Sequence, residues 1–90
     1  MEQALRLLAG IHGNGSFLGI VLAGRRVLQF RSEEGVLYTE VLDIEARTVE
    51  HCRLSMPLAE EVLRAAYAGA DFQRIPSEFF IQWQQARLPP

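Results

Sequence analysis

The chain has 90 residues, of which 49% are hydrophobic and 22% charged, and its formal net charge is −2. Because one domain takes about 100–200 residues, we expect a single domain over residues 1–90, and the composition excludes wholesale disorder and fibrous classes. Glycines interrupt the longest uncharged stretch, residues 7–24, so it predicts no membrane span. Since Glu2 stands where an export signal would be basic, we expect a cytoplasmic protein.

The first predicted element is ambiguous between strand and helix. Apolar residues at positions 5, 7, 9 and 11 alternate with their neighbours and favour a strand over residues 4–12. Ala4, Leu5 and Leu8 also suit one face of a helix over residues 2–9, which is the alternative. The Asn14-Gly15 pair that follows is a strong hairpin signal, because both residues readily take the positive φ of a tight turn.

Four further strands are predicted over residues 17–23, 26–32, 36–43 and 48–54, which are rich in β-branched and aromatic side chains. Gly24-Arg25 fits a two-residue turn, and Glu33-Glu34-Gly35 fits a three-residue turn with glycine at positive φ. Residues 44–47 form the next connection. Connections this short join only antiparallel neighbours, so the region is a β-meander.

The hydrophobic period changes after residue 54. Ser55 is a predicted N-cap, Pro57 fits the first helical turn, and Gly69 is a C-terminal stop. Together they predict an α-helix over about residues 56–68.

A short C-terminal element is predicted over residues 79–87. Ser77 as an N-cap, with Phe79, Phe80 and Trp83 on one face, indicates a helix, and a strand is the alternative. The predicted fold class is therefore α+β: an antiparallel β-meander of four or five strands packed by one α-helix, with this short helix or strand at the end.

The turn lengths set the strand register, and the register sets the two faces of the sheet. In the predicted register, Phe30 lies opposite Tyr38, and Glu40 lies opposite His51. One face is assigned to the core and holds Leu18, Ile20, Leu22, Val27, Gln29, Leu37, Thr39, Val41, Glu50, Cys52 and Leu54. The opposite face holds Phe17, Val21, Arg26, Leu28, Phe30, Tyr38, Glu40, Leu42, Val49, His51 and Arg53.

The second face is predicted to bind a partner. A sheet packed by a single helix usually has a polar outer face, whereas this one mixes aromatic, aliphatic and charged residues. Either the C-terminal aromatic residues cover it, or a partner protein or a second copy does. The candidate residues are Arg26, Phe30, Tyr38, Glu40, His51 and Arg53. On this prediction, Phe30→Arg weakens binding and leaves the fold intact.

The cysteine, histidine, glycine and arginine residues exclude several kinds of binding site. A single cysteine, Cys52, excludes an internal disulfide, and with only two histidines the chain predicts no zinc site. The glycines around residue 13 lack the pattern of a phosphate-binding loop, so we expect neither a metal nor a cofactor. All nine basic residues are arginine and form no run, so we expect no binding to duplex nucleic acid.

The functional hypothesis is a non-enzymatic protein-interaction module of the adaptor or inhibitor type. It would bind a protein partner or a second copy of itself, as a homodimer, through the mixed face or through a sheet edge. Single-stranded nucleic-acid binding is the alternative, because Phe and Tyr side chains stack on bases. An acid–base pair of Glu40 and His51 is disfavoured as an active site, because the sequence predicts neither a pocket nor a nucleophile beside it.

Overall fold

The computed structural model describes residues 1–11, 13, 15–74 and 83–87. Its elements are α1 (Glu2–Ala9), β1 (Ser16–Leu22), β2 (Arg26–Glu33), β3 (Val36–Asp43), β4 (Thr48–Arg53), α2 (Met56–Tyr67), a short 3₁₀ helix (Phe72–Arg74) and β5 (Gln84–Arg87). None of the helices in these ranges is long and apolar enough to cross a membrane.

The five strands form one antiparallel sheet, and their spatial order, β1-β2-β3-β4-β5, repeats their order along the chain. The predicted α+β meander is therefore confirmed. The three connections that join β1, β2, β3 and β4 are two to four residues long. Connections this short allow each strand to pair only with the strand before it, in antiparallel orientation.

The N-terminal segment is a helix, so the favoured strand over residues 4–12 is wrong. Ala4 and Leu8 lie one helical turn apart and are buried, and Ile11 continues their stripe. Leu7 is 54% exposed, although a strand that buried residues 5, 9 and 11 would bury it too. The buried residues thus follow the helical period and not the alternation.

Strand β2 is shifted by one residue from its predicted pairing with both neighbours. Leu22 pairs with Arg26 across a three-residue turn, and Glu33 pairs with Val36 across a two-residue turn. The two predicted turn lengths are therefore interchanged. Because a shift of one residue turns every side chain to the other face, β2 alone is reversed relative to the prediction.

The backbone of the second turn is consistent with its length. Glu34 and Gly35 have φ values of 51° and 77°, and two consecutive positive φ values are what a tight two-residue hairpin turn requires. Glu33 is therefore the last residue of β2 and takes no part in the turn. The four-residue connection after Asp43 is as predicted, so the register of β3 against β4 is confirmed.

The buried side chains on one face of the sheet, which we call the core face, form one cluster with buried side chains of both α-helices. The hydrophobic cluster consists of Ala4, Leu8, Ile11, Leu28, Phe30, Leu37, Val41, Cys52, Leu54, Ala59, Val62, Leu63 and Phe72. We call the opposite face of the sheet the outer face. The predicted core side of β1, β3 and β4 is correct, and only β2 contributes the opposite set of side chains.

Helix α2 begins and ends as predicted. The Ser55 hydroxyl accepts a hydrogen bond from the backbone N–H of Leu58 at 3.5 Å, and Pro57 lies in the first turn. Gly69 follows the helix at φ 76°, a conformation that a side chain would strain.

At the C-terminus, β5 pairs with β4, and Trp83 just before it packs against the core cluster. At residues 84–87 the strand alternative is therefore correct. Ser77, Phe79 and Phe80 lie outside the described residues, as do His12 and Asn14 of the predicted Asn-Gly turn.

Candidate interaction face

Three rows on the outer face each cross four or five strands. The apolar row holds Val21, Val27, Leu42, Val49 and Ala86. The polar row holds Gly19, Gln29, Glu40, His51 and Gln84. The arginine–tyrosine row holds Phe17, Arg31, Tyr38 and Arg53. At about 3.4 Å per residue, the face changes from aliphatic to cationic over roughly 14 Å.

Tyr38 stands between two arginines in the arginine–tyrosine row. The guanidinium carbon of Arg31 lies 4.8 Å from the centroid of the Tyr38 ring, and that of Arg53 lies 5.8 Å from it. Both distances are within the range of a cation–π interaction. Arg31 is also paired with Glu33 and, at 3.4 Å, with Glu40. Arg53 is exposed and has no carboxylate within ion-pair distance among the described residues.

Glu40 and His51 lie opposite each other on β3 and β4, as predicted. However, no hydrogen bond joins their side chains in the described part of the chain, and the Glu40 carboxylate pairs with Arg31 instead. Glu40 and His51 are cross-strand neighbours on one face of the sheet, and pairs of this kind contribute roughly 0.2–1 kcal/mol.

A hollow of about 400 Å³ lies where β5 begins beside β4. It is lined by Tyr38, His51, Cys52, Arg53 and Gln84. The ladder of β5 starts at Gln84, opposite His51, so Cys52 and Arg53 have no β5 residue across from them. The hollow thus joins the exposed ends of the polar and arginine–tyrosine rows.

The thiol of Cys52, which lines this hollow, has low reactivity. Cys52 is 8% exposed, and its burial raises the pKa of the thiol from 9.0 to about 12. The thiolate is the nucleophilic form of cysteine. At neutral pH, Cys52 is therefore protonated and a poor nucleophile.

We expect Cys52 in the native protein to react with a disulfide reagent much more slowly at pH 8 than it does in the unfolded chain. The reason is that both the raised pKa and the low exposure suppress the thiolate. The rate of release of the coloured thiol, with and without denaturant, measures the difference. Equal rates in the two states would contradict the buried position of Cys52.

Two of the six candidate residues do not lie on the outer face. Phe30 is fully buried in the core. Arg26 points to the core face, where it donates a hydrogen bond to Gln73 Oε1 at 3.2 Å and lies 5.4 Å from the ring centroid of Phe72. Gln73 in turn donates to Glu50 at 2.7 Å. The positions of Phe30 and Arg26 both follow from the shift of β2. Through its contacts with Phe72 and Gln73, Arg26 connects the 3₁₀ helix to the sheet.

The shift of β2 also brings Arg31 onto the outer face, where the sequence did not predict it. Arg31 packs on Tyr38 only because β2 faces the other way. The signal for it was the composition of β2 itself. Leu28 and Phe30 alternate with Gln29 and Arg31, and this alternation places the two large apolar residues together in the core.

The three rows and the hollow are the features from which a function can be argued. Comparison with family models, with curated proteins and with solved structures gives no match to this chain. In the described ranges, no three His, Cys, Asp or Glu side chains are grouped closely enough to hold a metal ion. The shape and chemistry of the outer face are therefore the basis of the function proposed below.

Proposed function

We propose that this protein is a non-catalytic protein-interaction module of the adaptor or inhibitor type, which binds a partner protein in the cytoplasm through its outer face. The observation that carries the proposal is Tyr38 between Arg31 and Arg53, in the middle of the face that turns away from the helix-packed core. Tyr and Arg dominate the energetics of protein interfaces, because each combines a large contact area with specific polar groups.

The neighbouring apolar row supports the same proposal. Val27, Leu42 and Val49 are only half-buried, although they lie next to one another across three strands. Protein interfaces combine apolar contact area with polar and charged groups. The apolar row supplies the first at one side of the outer face, and the polar and arginine–tyrosine rows beside it supply the second.

The charge of the outer face indicates the charge of the partner surface that binds it. Arg31 is already paired with Glu33 and Glu40, whereas Arg53 at the exposed end of the row has no such partner within the described ranges. A guanidinium binds a carboxylate through two parallel hydrogen bonds. The proposed partner therefore presents an acidic side chain to Arg53, beside a group that packs on Tyr38.

Site-specific photo-crosslinking in the cells that make the protein tests the proposal. A photoreactive phenylalanine analogue replaces Val49 on the outer face, or Arg64 on the exposed surface of α2 as the matched control. We expect a discrete adduct heavier than twice the chain mass from position 49 and none from position 64. Adding Tyr38→Ala should lower the yield about tenfold or more, as loss of an interface hot spot does.

The outcomes separate this proposal from its competitors. An adduct of twice the chain mass would show that the outer face contacts a second copy. The absence of any adduct from position 49, or equal adducts from positions 49 and 64, would refute partner binding by this face. Circular dichroism of each variant controls for the fold.

Single-stranded nucleic acid is the second candidate partner, and Phe17 and Tyr38 in one row with two arginines favour it. The net charge of −2 and the neutralisation of Arg31 weigh against it, because phosphate binding depends on unpaired cations. Titration of a fluorescent oligothymidylate distinguishes the two. Saturable, salt-sensitive binding that Tyr38→Ala abolishes would favour nucleic acid over a protein partner.

A further inference from the structure

The two edges of the sheet differ in how they are protected. Strand β5, at one edge, has four residues, all exposed, and includes Arg87. Strand β1, at the other edge, has the sequence SFLGIVL, with neither charge nor proline. No described strand pairs with its outer side. Monomeric proteins usually protect an edge by making it short, charged or proline-containing, and β1 has none of these protections.

Apolar side chains accumulate at the same edge. The described residues expose six large hydrophobic side chains, and only Ile44 lies away from β1. The other five form what we call the β1 edge cluster: Met1, Leu7, Phe17, Val21 and Tyr67. A patch of this kind on a soluble protein marks a contact surface.

The cluster covers both sides of the strand. Phe17 and Val21, 69% and 82% exposed, lie on the outer face. On the core face, Met1, Leu7 and Tyr67 line a hollow of about 350 Å³ beside β1. A continuous apolar strand is typical of a position with neighbours on both edges and cover on both faces. Within the described residues of one chain, β1 pairs with β2 alone.

We infer that β1 pairs antiparallel with β1 of a second copy of this chain, about a two-fold axis that is perpendicular to the sheet and passes between the two Gly19 residues. This register uses the whole strand. It places Phe17 opposite Val21 of the second copy, and Leu18 opposite Ile20 of the second copy. Phe17 and Val21, the two most exposed large hydrophobic side chains among the described residues, thus cover each other, and a two-fold interface must be self-complementary in this way.

The local chemistry at the axis fits a second copy. No heavy atom of the described residues lies within 4 Å of the position that a Cβ would occupy at Gly19. Since β1 carries no charge, the two-fold axis brings no like charges together. The unpaired N–H and C=O groups of the edge gain partners, as in strand addition.

The size of the cluster also fits a dimer. Its five residues are 42–82% exposed and offer at most roughly 600 Å² per chain, so complete cover in two copies would reach the roughly 1,200 Å² at the lower end of specific interfaces. The two five-stranded sheets would join into one of ten strands. This dimer does not depend on the proposed binding of a partner by the outer face. That proposal rests on Arg31, Tyr38 and Arg53, which lie on β2, β3 and β4.

Paired charges introduced into β1 test both the dimer and its register. In Phe17→Lys/Val21→Lys, two ammonium groups meet on each side of the axis, and we expect the dissociation constant of the dimer to rise about a hundredfold or more. In Phe17→Lys/Val21→Glu, each lysine meets a glutamate of the second copy, and the dimer should persist. Sedimentation equilibrium against concentration measures both, and Ile44→Lys, at the exposed hydrophobic residue away from β1, is the matched control.

Each result supports or overturns the inference. A wild-type monomer of 10.2 kDa at high concentration, or larger open aggregates, would overturn it. So would a dimer that survives Phe17→Lys/Val21→Lys, and equal dissociation of both double variants would refute the register through Gly19. Hydrogen exchange in the wild type is independent of the variants, and the β1 amides that face away from β2 should be protected in the dimer only. The photo-crosslinking at Val49 is unaffected by the outcome, so the two proposals fail separately.

Discussion

Phe30→Arg is expected to unfold the protein. Phe30 has no exposed surface and is the largest fully buried side chain among the described residues. Its loss alone, as in Phe→Ala, costs about 3–5 kcal/mol, and an arginine there adds an unpaired charge in the core. A small domain has a free energy of unfolding of only about 5–15 kcal/mol. Far-UV circular dichroism and urea unfolding of the purified variant measure the effect.

The matched control for this variant is Gln29→Arg. Gln29 is the neighbour of Phe30 in β2, but its side chain is in the polar row of the outer face. The same charge there should change the free energy of unfolding by about 0.5 kcal/mol or less, as is usual for surface substitutions. A Phe30→Arg variant with native circular dichroism and an unchanged urea midpoint would place Phe30 on the outer face and refute the observed register.

Leu8→Ala is expected to cost about 2–5 kcal/mol of stability. Leu8 is fully buried in the core cluster, so truncation removes apolar contacts and leaves a cavity between α1 and the rest of the core. Alanine is a good helix former, so the loss would report on packing and not on helix propensity. The urea midpoint at a constant slope gives the difference in free energy.

Leu7→Ala provides the comparison within the same helix. Leu7 is 54% exposed, so its truncation should cost about 0.5 kcal/mol or less. Similar losses at positions 7 and 8 would mean that α1 does not dock through Leu8. Because Leu7 also belongs to the β1 edge cluster, the comparison is made at a concentration well below the dissociation constant of any dimer.

The sequence predicts the order of the β strands well because their connections are short. Connections of two to four residues leave only antiparallel neighbours, so the meander follows without knowledge of any long-range contact. Ser55, Pro57 and Gly69 mark the bounds of α2 through local capping chemistry. These features depend on residues close together in the chain, which is why they can be read from the sequence.

The register of β2 could not be derived from its turns. In the sequence, Glu33-Glu34-Gly35 is compatible with a turn of two or of three residues, and only the pairing of Glu33 with Val36 in the folded sheet decides. The alternation of Leu28 and Phe30 with polar neighbours carries the correct answer, because burial of large apolar side chains outweighs a small difference between turn types. At the N-terminus the same burial argument favours a helix, since Ala4 and Leu8 reach the core together.

The prediction of the candidate site succeeds and fails with the register. Tyr38, Glu40, His51 and Arg53 share the outer face because the connection between β3 and β4 has the predicted four residues. Arg26 and Phe30 belong to the reversed strand and lie on the core face. Neither the pairing of Glu40 with Arg31 nor the apolar cluster at β1 could be predicted, because both depend on how several elements meet.

The agreement between strand order and chain order has a kinetic consequence. Strands β1 to β4 join successive neighbours through loops of two to four residues, so most of the sheet can zip up from local hairpins, which form on the microsecond timescale. β5 is different, because about 30 residues, including α2, separate it from its partner β4, and closing that longer loop costs more entropy. The order of folding should thus follow contact order: the four-stranded meander forms early, and β5 docks onto β4 only after α2 has condensed on the core.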